Sequence, residues 1–89
     1  MYREKTMHVS TSINVIGKTL DEAVIEVDKY LDDAYMSGLD EVTIVHGRGT
    51  GILRNGLRDI FRHHPHVKQF ESASYHEGGD GATVVKLKR

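Results

Sequence analysis

Apolar and polar positions along this chain follow two different periods, and the switches between them mark out the elements. Ile13-Asn14-Val15-Ile16 places Ile13 and Val15 on one side and Asn14 and Ile16 on the other, the period of a strand, which Gly17 ends. Leu20, Ala23, Val24, Val27, Tyr30, Leu31 and Ala34 then recur at helical intervals. Thr19 with Glu22 three residues on has capping-box spacing at the start of that helix, and Gly38 suits the position just past its end. Glu41 to Val45 predicts a second strand. Leu53, Leu57, Ile60 and Phe61 predict the apolar face of a second helix, from about Thr50 to His63 and stopped before Pro65. Val67 to Ala73 and Ala82 to Leu87 read as two more strands, joined through Gly78-Gly79-Asp80-Gly81.

The order β-α-β-α-β-β predicts an α/β (α+β) fold with a four-stranded mixed sheet. Strand–helix–strand units favour parallel neighbours, and the last two strands add an antiparallel pair. The pattern leaves open whether the two helices are shared between the faces of the sheet or lie together on one. A length of 89 residues supplies one small core and no second domain. Residues 1–11 are expected to form a leader or the tail of a linker, and residues 12–89 a single domain.

Composition removes several chemistries. There is no cysteine, hence no disulfide, thiolate nucleophile or cysteine-based zinc site. The Met1-Tyr2-Arg3-Glu4-Lys5 start has no apolar targeting segment and no run reaches membrane-spanning length, so a cytoplasmic, membrane-free protein is expected. The net charge of −1 hides a division. Between Asp21 and Glu41 eight acidic residues oppose Lys29 alone, whereas Arg48, Arg54, Arg58, Arg62 and Lys68 oppose only Asp59. Anions respond to the local field, and the basic half contains the glycine-rich stretch His46 to Gly51.

That stretch, His46-Gly47-Arg48-Gly49-Thr50-Gly51, lies where a strand ends and a helix begins. Strand ends of this kind, next to helix N-termini, collect anionic ligands. The glycine spacing is neither the dinucleotide fingerprint nor a P-loop. His46 has an ordinary pKa near working pH and is a candidate general base or acid. Arg54, Arg58 and Arg62 fall every fourth residue, a stripe that suits consecutive backbone phosphates. Asn14, Ile16 and His46 are expected on one rim. His63-His64-Pro65-His66 reads as an adventitious surface cluster and Asp80 as a turn residue, so no metal ligand is assigned. Tyr30 and Tyr35 read as core or boundary residues.

His46-Gly47-Arg48-Gly49-Thr50-Gly51-Ile52-Leu53-Arg54 resembles the HGxGTGxLR signature of the Smr (small MutS-related) domain family. His64-Pro65-His66-Val67 and Gly78-Gly79-Asp80-Gly81-Ala82-Thr83-Val84-Val85 are similar to its later HPxV and GGxGATxV segments, in the same order. Thr83 to Leu87 resembles the extreme C-terminus of the second bacterial MutS family, so the resemblance makes residues 12–89 the Smr domain of a longer ATPase. It implies a fold like the C-terminal domain of translation initiation factor three. It further implies an endonuclease that nicks DNA or cleaves RNA, in a parent that suppresses recombination or acts at stalled ribosomes. His46 and Asn14 then take the catalytic positions, and Gly47, Arg48, Gly49, Thr50, Gly51, Arg54 and Arg58 hold phosphate. Expected partners are DNA or RNA and the ribosome, with a monomeric isolated domain and a homodimeric parent. ATP belongs to other domains of such a parent, no cofactor is expected in this one, and a divalent metal is left open.

One departure changes the expectation. The family's first motif, Leu-Asp-Leu-(His or Arg)-Gly, stands here as Ile13-Asn14-Val15-Ile16-Gly17. Asparagine keeps a hydrogen-bond acceptor but cannot ionise. Ile16, in the place of the family's His or Arg, cannot touch a phosphate usefully, so with Asn14 and Ile16 in those positions the alternative is a catalytically silent DNA-, RNA- or ribosome-binding module.

Overall fold

The computed structural model describes residues 9–88; most of the expected leader lies outside the described residues. The strands are β1 (Ser12–Asn14), β2 (Glu41–Val45), β3 (Val67–Ser72) and β4 (Ala82–Leu87), and the helices are α1 (Leu20–Met36) and α2 (Ile52–His63). Short 3-10 turns at Tyr75–Glu77 and Gly79–Gly81 fill the connection before β4. The strands form one sheet in the order β1-β2-β4-β3. β1 runs parallel to β2, with Ser12 opposite Thr43 and Asn14 opposite Val45. β4 lies antiparallel to both β2 and β3, with Val42 opposite Val85 and Phe70 opposite Val85 from the other side. The fold is thus the α+β arrangement with a four-stranded mixed sheet that the pattern predicted.

The caps explain the helix limits. Thr19 accepts the Glu22 N–H through its hydroxyl while the Glu22 carboxylate accepts the Thr19 N–H, a complete capping box. At the other end Gly38 N–H donates to Tyr35 O and Leu39 N–H to Ala34 O, the paired bonds of a Schellman ending. β1 is shorter than expected because Asn14 Oδ1 accepts the Ile16 N–H at 2.9 Å and turns the chain off the sheet edge. The chain before it is held as well: Val9 packs on the core, Thr11 O accepts the Thr43 N–H, and Tyr30 Oη donates to Ser10 O.

Both helices lie on one face of the sheet, which resolves the choice left open by the sequence. Val42, Ile44, Val85 and Leu87 from the sheet form a single buried cluster with Ala23, Val27, Leu31 and Ala34 of α1 and Leu57 and Phe61 of α2. Fully burying a large apolar side chain is worth about 1.5–3 kcal/mol, so this cluster dominates the stability. Among the described residues the opposite face carries a small patch of Ala73, Ala82 and Val84 with Val45, and no helical residue joins it. α2 packs tightly on α1 at Gly56, where an added Cβ would lie 2.5 Å from Leu20 Cδ1.

Packing also corrects one surface assignment. His64 is 7% exposed, not a surface residue, and its Nδ1 accepts the His66 N–H. The proton therefore sits on Nε2, 3.4 Å from both Asp28 Oδ1 and Asp32 Oδ1 on α1. His66 stacks on Tyr35 with ring centroids 3.8 Å apart. The acidic and basic halves of the chain meet at this seam. Among the described residues no group of three or more metal-ligating side chains is arranged to hold a metal ion, and no helix is long and apolar enough to cross a membrane.

Candidate functional site

Where β2 ends, the chain leaves the sheet into the glycine-rich loop. Its first two residues are tied down: the N–H groups of His46 and Gly47 both donate to Gly81 O, at 3.0 and 2.9 Å. Gly47 has a φ of 81°, a conformation that L side chains adopt only with strain. Arg48 then lies across the second glycine segment, with Nη2 only 3.3 Å and Cγ 3.6 Å from where Cβ atoms on Gly79 and Gly81 would sit. A side chain at Gly79 would press on the end of the Arg48 guanidinium, whereas one at Gly81 would only touch the Arg48 stem. The sequence presented this segment as a connection between strands; its role as the floor under the loop comes from the β2–β4 pairing.

The His46 ring points into the fold. The residue is 4% exposed, with Nδ1 2.8 Å from Gly47 O and Nε2 2.9 Å from Thr83 Oγ1, itself fully buried on β4. A carbonyl only accepts, so Nδ1 carries the proton and Nε2 accepts from the threonine hydroxyl. Burial holds the imidazole below the usual histidine range; the Gly47 bond opposes this, and the nearby Arg54 and Arg58 charges reinforce it. The sequence offers His46 as a candidate general base or acid, and the structure shows both of its nitrogens hydrogen-bonded within the protein. Both ring nitrogens are engaged, and the ring is a neutral latch between β2 and β4.

Beyond Gly47 the loop opens. Within the described residues the N–H groups of Gly49, Thr50 and Gly51 have no hydrogen-bond partner. α2 starts at Ile52, two residues later than predicted, because Gly51 is its N-cap with a φ of 86° and supplies no side-chain cap. The positive end of α2 is therefore left to whatever occupies the loop. These residues line a cleft of about 510 Å³ that runs from Ile16–Leu20 to His46–Arg54. Its wall contains Lys18, Arg48 and Arg54 and no carboxylate.

The structure brings together His46, Gly47, Arg48, Gly49, Thr50, Gly51 and Arg54 around this cleft, and it separates two others. Asn14 does not line it, and its Oδ1 is already bound to Ile16 N–H. Arg58 turns to β3, where Nη2 donates to Ser72 Oγ at 2.8 Å and the guanidinium lies 5.9 Å from the Phe70 ring centroid. Arg62 approaches the same ring at 5.9 Å. The arginine stripe thus divides into one residue at the cleft and two on Phe70. The Nε atoms of Arg54 and Arg58 are buried and have no hydrogen-bond partner within the described residues. Sequence reasoning passed over Ile16 as useless to a phosphate. Its side chain lies 3.4 Å from a Cβ position on Gly47 and forms the cleft wall.

Comparison with known proteins agrees with this architecture. Residues 13–88 match the sequence profile of the Smr domain. The chain is 57% identical over 84 residues to the protein named Endonuclease MutS2 of Caldicellulosiruptor bescii, covering 94% of this chain and 11% of that protein. The corresponding protein of Caldanaerobacter subterraneus subsp. tengcongensis is 54% identical over 84 residues with the same shares. The chain thus spans about a tenth of the length of these relatives. Among solved structures, the Smr domain of Thermus thermophilus MutS2 superposes with a TM-score of 0.86 at 40% identity, covering 88% of this chain and 98% of that one. YdaL, a stand-alone small MutS-related protein from Escherichia coli, gives 0.85 at 27% identity, with 89% and 65% covered. By motif, fold and sequence together, the chain belongs to the Smr domain family.

Proposed function

We propose that this chain is the nucleic-acid-binding domain of a longer MutS2-type endonuclease, and that a backbone phosphate of the bound strand sits in the cleft over Gly49–Gly51. One observation carries this: the unpartnered amides of Gly49–Gly51, the start of α2, where only the Ile52 N–H has a side-chain partner (Thr50 Oγ1 at 3.4 Å), and two arginines converge on a cavity whose wall has no acidic residue. A phosphodiester, with its dispersed negative charge and several acceptor oxygens, complements such a surface. The relatives' name supports the same class of ligand.

Cleavage is the second reading, favoured by that name and by His46 lying at the base of the cleft. It requires His46 to give up Thr83 and receive a proton from the nucleophile, with Arg48 and Arg54 stabilising the charge that develops on phosphate. Asn14 is no substitute for an ionised partner, and loss of such a group typically slows a reaction by about 10²–10⁴-fold. Binding is therefore the better supported role for this copy. On this reading the other domains of the parent hold ATP, and recombination intermediates or stalled ribosomes are where the domain meets DNA or RNA in the cytoplasm.

The test uses the 89-residue chain with supercoiled plasmid and with single-stranded RNA, in the presence and absence of EDTA. Salt-sensitive binding without cleavage is the expected result. Cleavage by the wild type that His46→Ala abolishes establishes the hydrolase instead, and failure to bind either substrate at low salt refutes both.

A further inference from the structure

The cleft is larger and more apolar than a phosphate requires. Ile16 is 56% exposed and Ile52 is 60% exposed, and both line it together with Leu20 and Leu53. Exposed isoleucines are unfavourable in water, and a phosphate gains nothing from them. Ile16 leans on Gly47 from one side of the loop, while Ile52 opens α2 on the other, directly after the amides of Thr50 and Gly51. An apolar wall thus stands beside a cationic, amide-lined floor, and one ligand must satisfy both.

We infer that the cleft holds one unpaired nucleotide, with its phosphate on the Gly49–Gly51 amides and Arg54 and its base flat against Ile16 and Ile52. This rests on the phosphate-binding reading above and adds what that reading leaves out, the secondary structure of the strand. In a duplex the base faces are stacked inside the helix and only the backbone reaches a protein cleft. In a single strand, loop or end the base is free to turn outward. Aliphatic walls contact any base face without reading its edges, so the selection is for an unpaired base and not for a sequence. The absence of carboxylates from the wall suits the phosphate, and the two isoleucines suit the base.

The experiment measures fluorescence anisotropy of the 89-residue chain with a short labelled strand in deoxyribose and ribose forms. The same sequence as a duplex and the same strand with abasic positions are run in parallel. The variants are Ile16→Ser and Ile52→Ser, whose side chains are largely exposed, with Arg54→Ala as the phosphate reference. The wild type is expected to prefer the single strand to the duplex and to the abasic strand by about tenfold, within the range expected for contacts to one unstacked base. Each serine variant removes about threefold of that preference without changing the salt slope, because an apolar contact is lost and no charge is. Arg54→Ala weakens all forms together and lowers the slope. Equal binding of duplex, abasic and intact strands, unaffected by the serine variants, overturns the unpaired-nucleotide inference and leaves phosphate binding standing. No binding of any form at low salt overturns both.

Discussion

Replacing Thr83 by valine tests the central feature of the site, the buried contact to His46. Valine has nearly the shape of threonine, so the substitution removes the hydroxyl that meets Nε2 at 2.9 Å and little packing. The imidazole then has a lone pair facing a methyl group at a position only 4% exposed. Moving the proton to Nε2 is no escape, because Nδ1 faces the Gly47 carbonyl at 2.8 Å and that bond would be lost. Leaving one buried polar group unsatisfied costs about 1–3 kcal/mol. For a domain of this size each kcal/mol lowers Tm by about 4–8 °C, so a drop of about 4–24 °C is expected in thermal unfolding followed by circular dichroism. A double-mutant cycle isolates the contact from general packing: in a His46→Leu background the same Thr83→Val change should cost about 1 kcal/mol less. An equal cost in both backgrounds, or a Tm within about 2 °C of the wild type, would refute the latch.

Three further outcomes follow from the same geometry. Burial lowers the pKa of His46, so its neutral form favours the folded state: that contribution is complete above the ordinary value of 6.5 and is lost as pH falls through the folded value. Unfolding scans across that window should show wild-type stability falling more steeply than that of His46→Leu; parallel curves would remove the neutral imidazole from the account. Arg54→Ala should lower the salt slope of strand binding by about one, whereas Arg58→Ala, tied to Ser72, should lower Tm and leave the slope in place. Equal slope changes in the two variants would restore the continuous arginine track. Gly51→Ala forces a side chain into the φ of 86° at the α2 N-cap, and a cost of about 1–2 kcal/mol should appear in urea titration. An unchanged midpoint would show that the helix start relaxes to another cap.

The local parts of the fold were legible because local residues specify them. Thr19 and Glu22 sit three apart and close the capping box, and Gly38 follows the last turn of α1 where the Schellman bonds need it. Long-range pairings were not legible. Nothing near His46 in sequence reveals that its ring turns towards Thr83, 37 positions away, because that depends on β4 inserting between β2 and β3. His64 misled for the same reason: a histidine beside proline looks like a surface turn until α1 brings Asp28 and Asp32 against it. The regular spacing of Arg54, Arg58 and Arg62 predicted their common face but not the Phe70 ring that takes two of them. Spacing assigns a side chain to a face, and the packing partner decides its use.

The glycine loop therefore divides its work along its length. His46 and Gly47 spend their amides on Gly81 and the His46 ring on Thr83, and so belong to the sheet. Gly49, Thr50 and Gly51 line the cleft and keep their amides open, and on the proposed reading these are what the phosphate meets. This division changes how loss of function at His46 is to be read. Removing the ring takes away its bond to Thr83 and leaves the β2 end held to β4 by the backbone bonds to Gly81 alone, so a fall in binding or cleavage is expected from the loosened loop even if the imidazole never touches a proton of the substrate. A proton-transfer role leaves a different trace: with Thr83→Val the nitrogen is released while the ring remains, and a base so released should cleave at least as fast per bound strand. A latch so released should lose binding and cleavage together.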